Sequence, residues 1–155
     1  MVTRFTMLEH LAKHVTNELV LTNLKGTAHE WHYLHPEDSN LLYLGLGMPT
    51  PAALGLAMAL PHRRVISLDG DGSILLDMAS IPTVGQAQPK NLTVIVFDNE
   101  CYESNGALPT PTANQTDLTG IAKACGIPKA ITASSAEEFD KTAKTALTTD
   151  GPHFI

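Results

Sequence analysis

The sequence predicts an α/β domain, a doubly wound, mostly parallel sheet with helices on both faces. Three observations carry that expectation. The runs Val65-Ile66-Ser67-Leu68 and Leu92-Thr93-Val94-Ile95-Val96-Phe97 are apolar and β-branched, as strands buried on both faces are. Helical patterns alternate with such runs along the chain. Two polar marks, Gly70-Asp71-Gly72 and Asp98-Asn99, follow the two runs at their carboxyl ends, where open α/β sheets bind ligands.

Taken in order, Met7, Leu8, Leu11 and Val15 repeat at helical spacing and predict a first helix ending near Thr16-Asn17. A strand follows from Glu18 to Thr22, then a loop from Asn23 to Ala28 that holds Gly26-Thr27, a short helix from His29 to Leu34 and a turn from His35 to Asn40. Leu41 to Leu44 forms the second strand. Gly45-Leu46-Gly47-Met48-Pro49 is a tight loop, with Thr50 as N-cap and Pro51 at the first helical position. That helix runs to about Leu60 and is apolar all round, which predicts burial on every side. Arg64 to Leu68 is the third strand, and the helix after Ser73 breaks or kinks at Pro82. Gly85 to Lys90 leads into the fourth strand, Leu92 to Phe97. Asn99 to Thr116 has no periodicity and reads as a binding loop.

Asp117 caps a helix through Cys125, Gly126 closes it, and Ala130 to Ala133 forms a short strand. Ser135 and Glu138 make a capping box for a helix carrying Phe139, Ala143, Ala146 and Leu147. Gly151-Pro152 turns into His153-Phe154-Ile155, the start of a further strand that reads as cut short.

The 155 residues form one domain, large enough to bury about 68–70% of its unfolded surface. With 43% hydrophobic and 17% charged residues the chain is globular, and no apolar run approaches the ~18 residues of a membrane span. A net charge of −6 argues against nucleic acid and makes a bare polyphosphate unwelcome unless a cation offsets the repulsion. Cys101 and Cys125 fit no redox pair or zinc knuckle, and no signal-peptide pattern opens the sequence, so the expected setting is the cytoplasm. His29 and His32 share a helical face without a clear third ligand for zinc. His29 near a cofactor as acid or base is the better use of that residue, and His10 and His14 read as a surface face.

A Gly-Asp-Gly at a strand end lets the backbone approach a ligand while presenting one carboxylate, and Gly72-Ser73 adds amide N–H groups and a hydroxyl suited to a diphosphate. Mg2+ prefers oxygen ligands shared between a few protein groups and phosphate, so Asp71 with the Asn99 carbonyl is a reasonable partial shell. A lone Gly-Asp-Gly is most often a turn. The second mark changes that reading, because 25 residues separate Gly72 from Asp98, room for one crossover helix and a strand.

Gly-Asp-Gly, about 25 residues and then Asp-Asn resembles the signature of thiamine diphosphate-dependent enzymes. Gly26-Thr27, Gly45 to Leu60 and Asp98 to Thr112 also look like the cofactor-binding half of this family, most of all the beta-type subunits of sulfopyruvate and phosphonopyruvate decarboxylases. The resemblance implies that Asp71 and Asn99 bind Mg2+ through side chains and Cys101 through its carbonyl. Thr27, Gly72 and Ser73 would hold the diphosphate, Met48 would prop the bent cofactor, and Gly26, Gly47, Gly70 and Tyr102 complete the cofactor-binding set. Asp98 replaces the usual first Asn, and Glu100-Cys101 replaces a glycine-containing pair before Tyr102.

The family activity so implied is decarboxylation of a 2-oxo acid, with the cofactor supplying the difficult step. Its activating glutamate belongs to a pyrimidine-binding domain, so the catalytic glutamate is expected on a partner, an alpha-type subunit of a hetero-oligomer. A carboligating enzyme subunit is one alternative. A non-catalytic diphosphate- or nucleotide-binding regulatory module is another.

Overall fold

The computed structural model describes residues 3–155 and contains the predicted α/β architecture. Its main sheet has six strands in the order β2-β1-β3-β4-β8-β7, and every pairing in it is parallel. In chain order the elements of the first half are α1 (Arg4–Ala12), β1 (Leu19–Asn23), α2 (Gly26–Leu34), β2 (Asn40–Leu44), α3 (Pro49–Ala59) and β3 (Val65–Gly70). Then come α4 (Asp71–Leu76), α5 (Ser80–Ala87) and β4 (Leu92–Phe97), followed by a hairpin of β5 (Cys101–Tyr102) and β6 (Leu108–Pro109). The chain ends with α6 (Leu118–Ala124), β7 (Lys129–Ala130), α7 (Ala136–Thr148) and β8 (His153–Phe154). The last of these is seated between β4 and β7, where Ile155 accepts a bond from the Val96 amide.

Strand side chains alternate between two cores, as period-two geometry dictates. Leu21, Val65, Leu92 and Val94 pack with α3, α5 and α6, whereas Val20, Ile66, Leu68 and Ile95 pack with α1, α2 and α7 through Leu8, Trp31 and Phe139. The sheet is covered on both faces, which is why its strands read as nearly continuous apolar runs.

Several boundaries differ from expectation for identifiable reasons. The first helix stops at Ala12 because the Glu18 carboxylate accepts the Thr16 and Asn17 amides and closes a turn there, leaving Val15 buried outside the helix. Helix α2 starts at Gly26, so Gly26-Thr27-Ala28 form its first turn rather than a loop. Thr50 lies inside α3 and not at its cap; its hydroxyl is turned onto Asp69 and Ser67 at 3.1 and 3.2 Å. Pro82 kinks nothing, since the chain has already broken at Asp77–Ala79 and Pro82 falls in the first turn of α5, where an amide is not needed.

Nor is α3 buried on every side: Gly55, Met58 and Ala59 are exposed. The short strand near Ala130 is Lys129–Ala130. Residues 99–116 are not a structureless loop but the β5–β6 hairpin with two 3-10 turns. His10 and His14 are not a bare surface face, because both rings bond Asp140 Oδ1 of α7, at 3.1 and 2.9 Å, and hold its carboxyl below the usual carboxylate range. The caps at Asp117 and Ser135 form as expected, with Asp117 Oδ1 accepting from Gly120 and Ser135 Oγ from Glu138.

The strand order fixes where a ligand can enter. From β1 the chain moves outward to β2 and then crosses back to β3, so β1 and β3 diverge in their connections at their carboxyl ends. That is a topological switch point, where open α/β sheets leave a crevice.

Candidate functional site

A cleft of about 210 Å³ opens at this switch point. Its walls are the end of β1 with the first turn of α2 (Asn23 to Thr27), the end of β3 with the start of α4 (Gly70 to Ser73), and the segment after β4 (Asn99, Cys101 to Ser104), with Leu46 and Arg4 closing the sides. Nine of the eleven sequence-predicted binding residues therefore meet in one place: Gly26, Thr27, Gly70, Asp71, Gly72, Ser73, Asn99, Cys101 and Tyr102. Gly47 and Met48 are not on the cleft wall. The Gly47 amide donates to Ser73 Oγ at 2.9 Å, and Met48 stands 53% exposed at the head of α3.

Asp71 is the buried charge of the cleft. Thr110 donates to its Oδ2 at 2.6 Å, and Thr112, which donates to Asp98 at 2.8 Å, lies 3.4 Å from the same oxygen. Burial pushes the Asp71 carboxyl above the usual range and the nearby Asp98 charge adds to this, against the Thr110 hydroxyl. Asp69 lies deeper, fully buried, and burial raises it as well, against bonds from Ser73, Gly70 and Thr50. At β4 the Asp98 and Asn99 side chains each accept an amide two residues on, from Glu100 and Cys101. Those Asx turns present the 98–101 backbone to the cleft.

The oxygens available around the cleft are a carboxylate, an amide carbonyl and a backbone carbonyl, which suit a hard, oxygen-seeking cation such as Mg2+. A buried carboxylate raised by burial and by a second carboxylate is the kind of group a cation would relieve. Among the described residues no cluster of three His, Cys, Asp or Glu side chains suits a metal; His29 is exposed and edge-on to Tyr43 at 5.4 Å. The first turn of α2 has no side-chain cap, and its residues Gly26 and Thr27 line the cleft, the kind of helix start that can take an anion. A Cβ at Gly72 would stand 2.5 Å from the Tyr102 ring, so a side chain there would have to displace that ring.

Among the cleft residues that were not anticipated, three stand out. Arg4 pairs in bidentate fashion with Glu30 and singly with Glu103, all at 2.9–3.0 Å, and those acids raise its basicity further. Lys25, in a left-handed conformation at φ 60°, donates from Nζ to the Ser104 carbonyl at 3.0 Å. Together they tie the β5–β6 hairpin to α1 and α2 across the cleft mouth. Asn23, the third, is the last residue of β1, so a polar residue at a strand end was a signal within reach of the sequence.

A parallel sheet with an oxygen-lined cleft and an uncapped helix start at its switch point is the architecture of α/β domains that take an anionic ligand. Residues 21–155 match the family described as thiamine pyrophosphate enzyme, C-terminal TPP binding domain, and the chain belongs to that family. It is 39% identical over 131 residues to the sulfopyruvate decarboxylase subunit beta of Methanocaldococcus jannaschii, covering 84% of this chain and 69% of that one. It is 32% identical over 155 residues to the phosphonopyruvate decarboxylase of Streptomyces viridochromogenes, covering 99% of this chain and 38% of that one. The crystal structure of benzoylformate decarboxylase from Polynucleobacter necessarius shares the fold, with a TM-score of 0.84 at 22% identity; the match covers 99% of this chain but 32% of that chain. Among the described residues no helix is long and apolar enough to cross a membrane.

Proposed function

We propose that this chain is the diphosphate-anchoring subunit of a thiamine diphosphate- and Mg2+-dependent 2-oxo acid decarboxylase of the sulfopyruvate and phosphonopyruvate decarboxylase kind. The observation that carries this reading is the convergence of Gly26-Thr27, Gly70 to Ser73 and Asn99 to Tyr102 on one switch-point cleft in a member of the TPP-binding family. In the roles proposed, Thr27, Gly72 and Ser73 meet the diphosphate, while Asp71, Asn99 and the Cys101 carbonyl hold Mg2+, which offsets the acidic chain's repulsion. Thr110 fixes the Asp71 carboxylate for that task. When bound, thiamine diphosphate would supply a store for the electron pair left on carbon as CO2 departs, and the protein binds, orients and excludes water.

The activating glutamate is assigned to a pyrimidine-binding alpha-type subunit. One relative is named as a beta subunit, while in another the matching region is 38% of a longer chain. The outer face of α3, with Met48 and Met58 exposed, gives such a partner an apolar surface to cover. The test is to mix the purified chain with a candidate alpha-type subunit and assay CO2 release from sulfopyruvate and phosphonopyruvate. Release only from the mixture is expected; equal release from this chain alone would overturn the shared-site reading.

A further inference from the structure

We propose that Asn23 is a further ligand-contacting residue of the cleft, its side-chain carbonyl accepting a hydrogen bond from a donor that arrives with the bound molecule. This rests on the cofactor assignment above. Asn23 ends β1 directly at the switch point, beside Gly70, whose β-carbon position lies 3.4 Å from the Asn23 amide nitrogen. The residue is only 7% exposed, and its Oδ1 is buried without a partner among the described residues. A buried amide left unpaired is costly, and folded proteins seldom keep one without a use.

Elsewhere the same fold satisfies its inward-facing amides. Asn40 accepts from Trp31 Nε1 at 2.9 Å and donates to the His35 carbonyl, and Asn91 donates to three carbonyls. Two other buried polar atoms also lack partners among the described residues, His35 Nδ1 and Arg63 Nε. Each belongs to a side chain already anchored through its other nitrogen, His35 to the Val15 carbonyl and Arg63 to that of Asn17, and neither lies in the cleft. Asn23 has no such side-chain anchor among the described residues, and it lines the cleft.

The orphan is an acceptor, so it needs a proton donor. Unprotonated diphosphate oxygens offer none. The donor is a water in the shell of the cation or an amino or hydroxyl group on the organic part of the ligand, and both present the same N–H or O–H to Asn23.

The full chain carrying Asn23→Leu, close in volume, and Asn23→Ala separate these sources from a structural role. Thermal unfolding without ligand is followed by calorimetry with Mg2+ plus inorganic pyrophosphate and with Mg2+ plus thiamine diphosphate. The expected result is an unfolding temperature for Asn23→Leu equal to or above wild type, with thiamine diphosphate affinity about tenfold weaker in both variants. Loss with pyrophosphate as well assigns the donor to the metal shell; loss with thiamine diphosphate alone assigns it to the organic part. Binding within twofold of wild type in both variants would overturn the inference, as would a lower unfolding temperature for Asn23→Leu with affinity unchanged. Should wild type itself bind no thiamine diphosphate, the proposed function fails, and the unfolding of Asn23→Leu still decides whether Asn23 is structural.

Discussion

Asn91 and Asn23 sit at opposite ends of the same parallel sheet, and the fold treats them oppositely. Asn91, just before β4 at the amino end, donates to the carbonyls of Ala57, Leu60 and Arg63 at 2.7–3.0 Å and so ties off the last turn of α3 and the loop after it. At the carboxyl end of β1, the Asn23 side-chain oxygen has no partner among the described residues. The contrast extends to their surroundings. Near the amino end Glu18 closes a turn and Gly85 packs tightly on the Cys125 carbonyl; at the carboxyl end α2 lacks a side-chain cap and Asp71 is buried near the Asp98 charge. The Asn91 amide, which ties α3 to the sheet, is satisfied internally, whereas the Asn23 side-chain carbonyl is left a partner short among the described residues.

The largest effect is expected at the sealed end. Replacing Asn91 with Leu removes the side-chain bonds to the Ala57, Leu60 and Arg63 carbonyls and should cost about 2–4 kcal/mol in urea unfolding, without changing the affinity of the folded fraction for thiamine diphosphate. Stability matching wild type would break the comparison.

A matched pair of substitutions follows. Gly85→Ala drives a methyl group into backbone at Cys125, which cannot turn aside, and is expected to cost about 1–3 kcal/mol. Gly72→Ala meets only the Tyr102 ring, a side chain that can move, so its unfolding midpoint should shift less while thiamine diphosphate affinity falls at least tenfold by calorimetry. The reverse ranking would contradict the division between the two ends.

The smallest effect is a pH dependence at His153 on β8. Burial, with Lys129 and Arg64 adding, holds this imidazole below its ordinary value, so the folded chain favours the neutral ring. The unfolded chain takes up the proton near pH 6.5 and the folded chain only lower, so stability is full above about pH 6.5 and declines as pH falls toward the depressed folded value. His153→Gln should flatten that decline in unfolding midpoints measured from pH 7.5 to 5.

Much of this was legible in the sequence because its signals were local. The strands β3 and β4 announce themselves by β-branched runs, and the spacing of Gly70-Asp71-Gly72 from Asp98-Asn99 places both marks at strand ends of one cleft. Boundaries controlled by side chains reaching across the fold were not legible. Glu18 ends α1 by taking two amides, and Thr50 is drawn into α3 by Asp69, partners that periodicity does not reveal. Arg4 enters the cleft through pairs with Glu30 and Glu103, far away in sequence. The apolar circumference of α3 promised burial on all sides, yet within this chain only one face has a sheet to cover it.

The central claim is that the cleft anchors thiamine diphosphate through a cation held by Asp71. Calorimetry on wild type and Asp71→Ala, with thiamine diphosphate and with ATP, each with and without Mg2+, tests it directly. The account predicts Mg2+-dependent binding of thiamine diphosphate over ATP by wild type and none by a folded Asp71→Ala. Binding of ATP in preference, or undiminished thiamine diphosphate binding by Asp71→Ala, would contradict it.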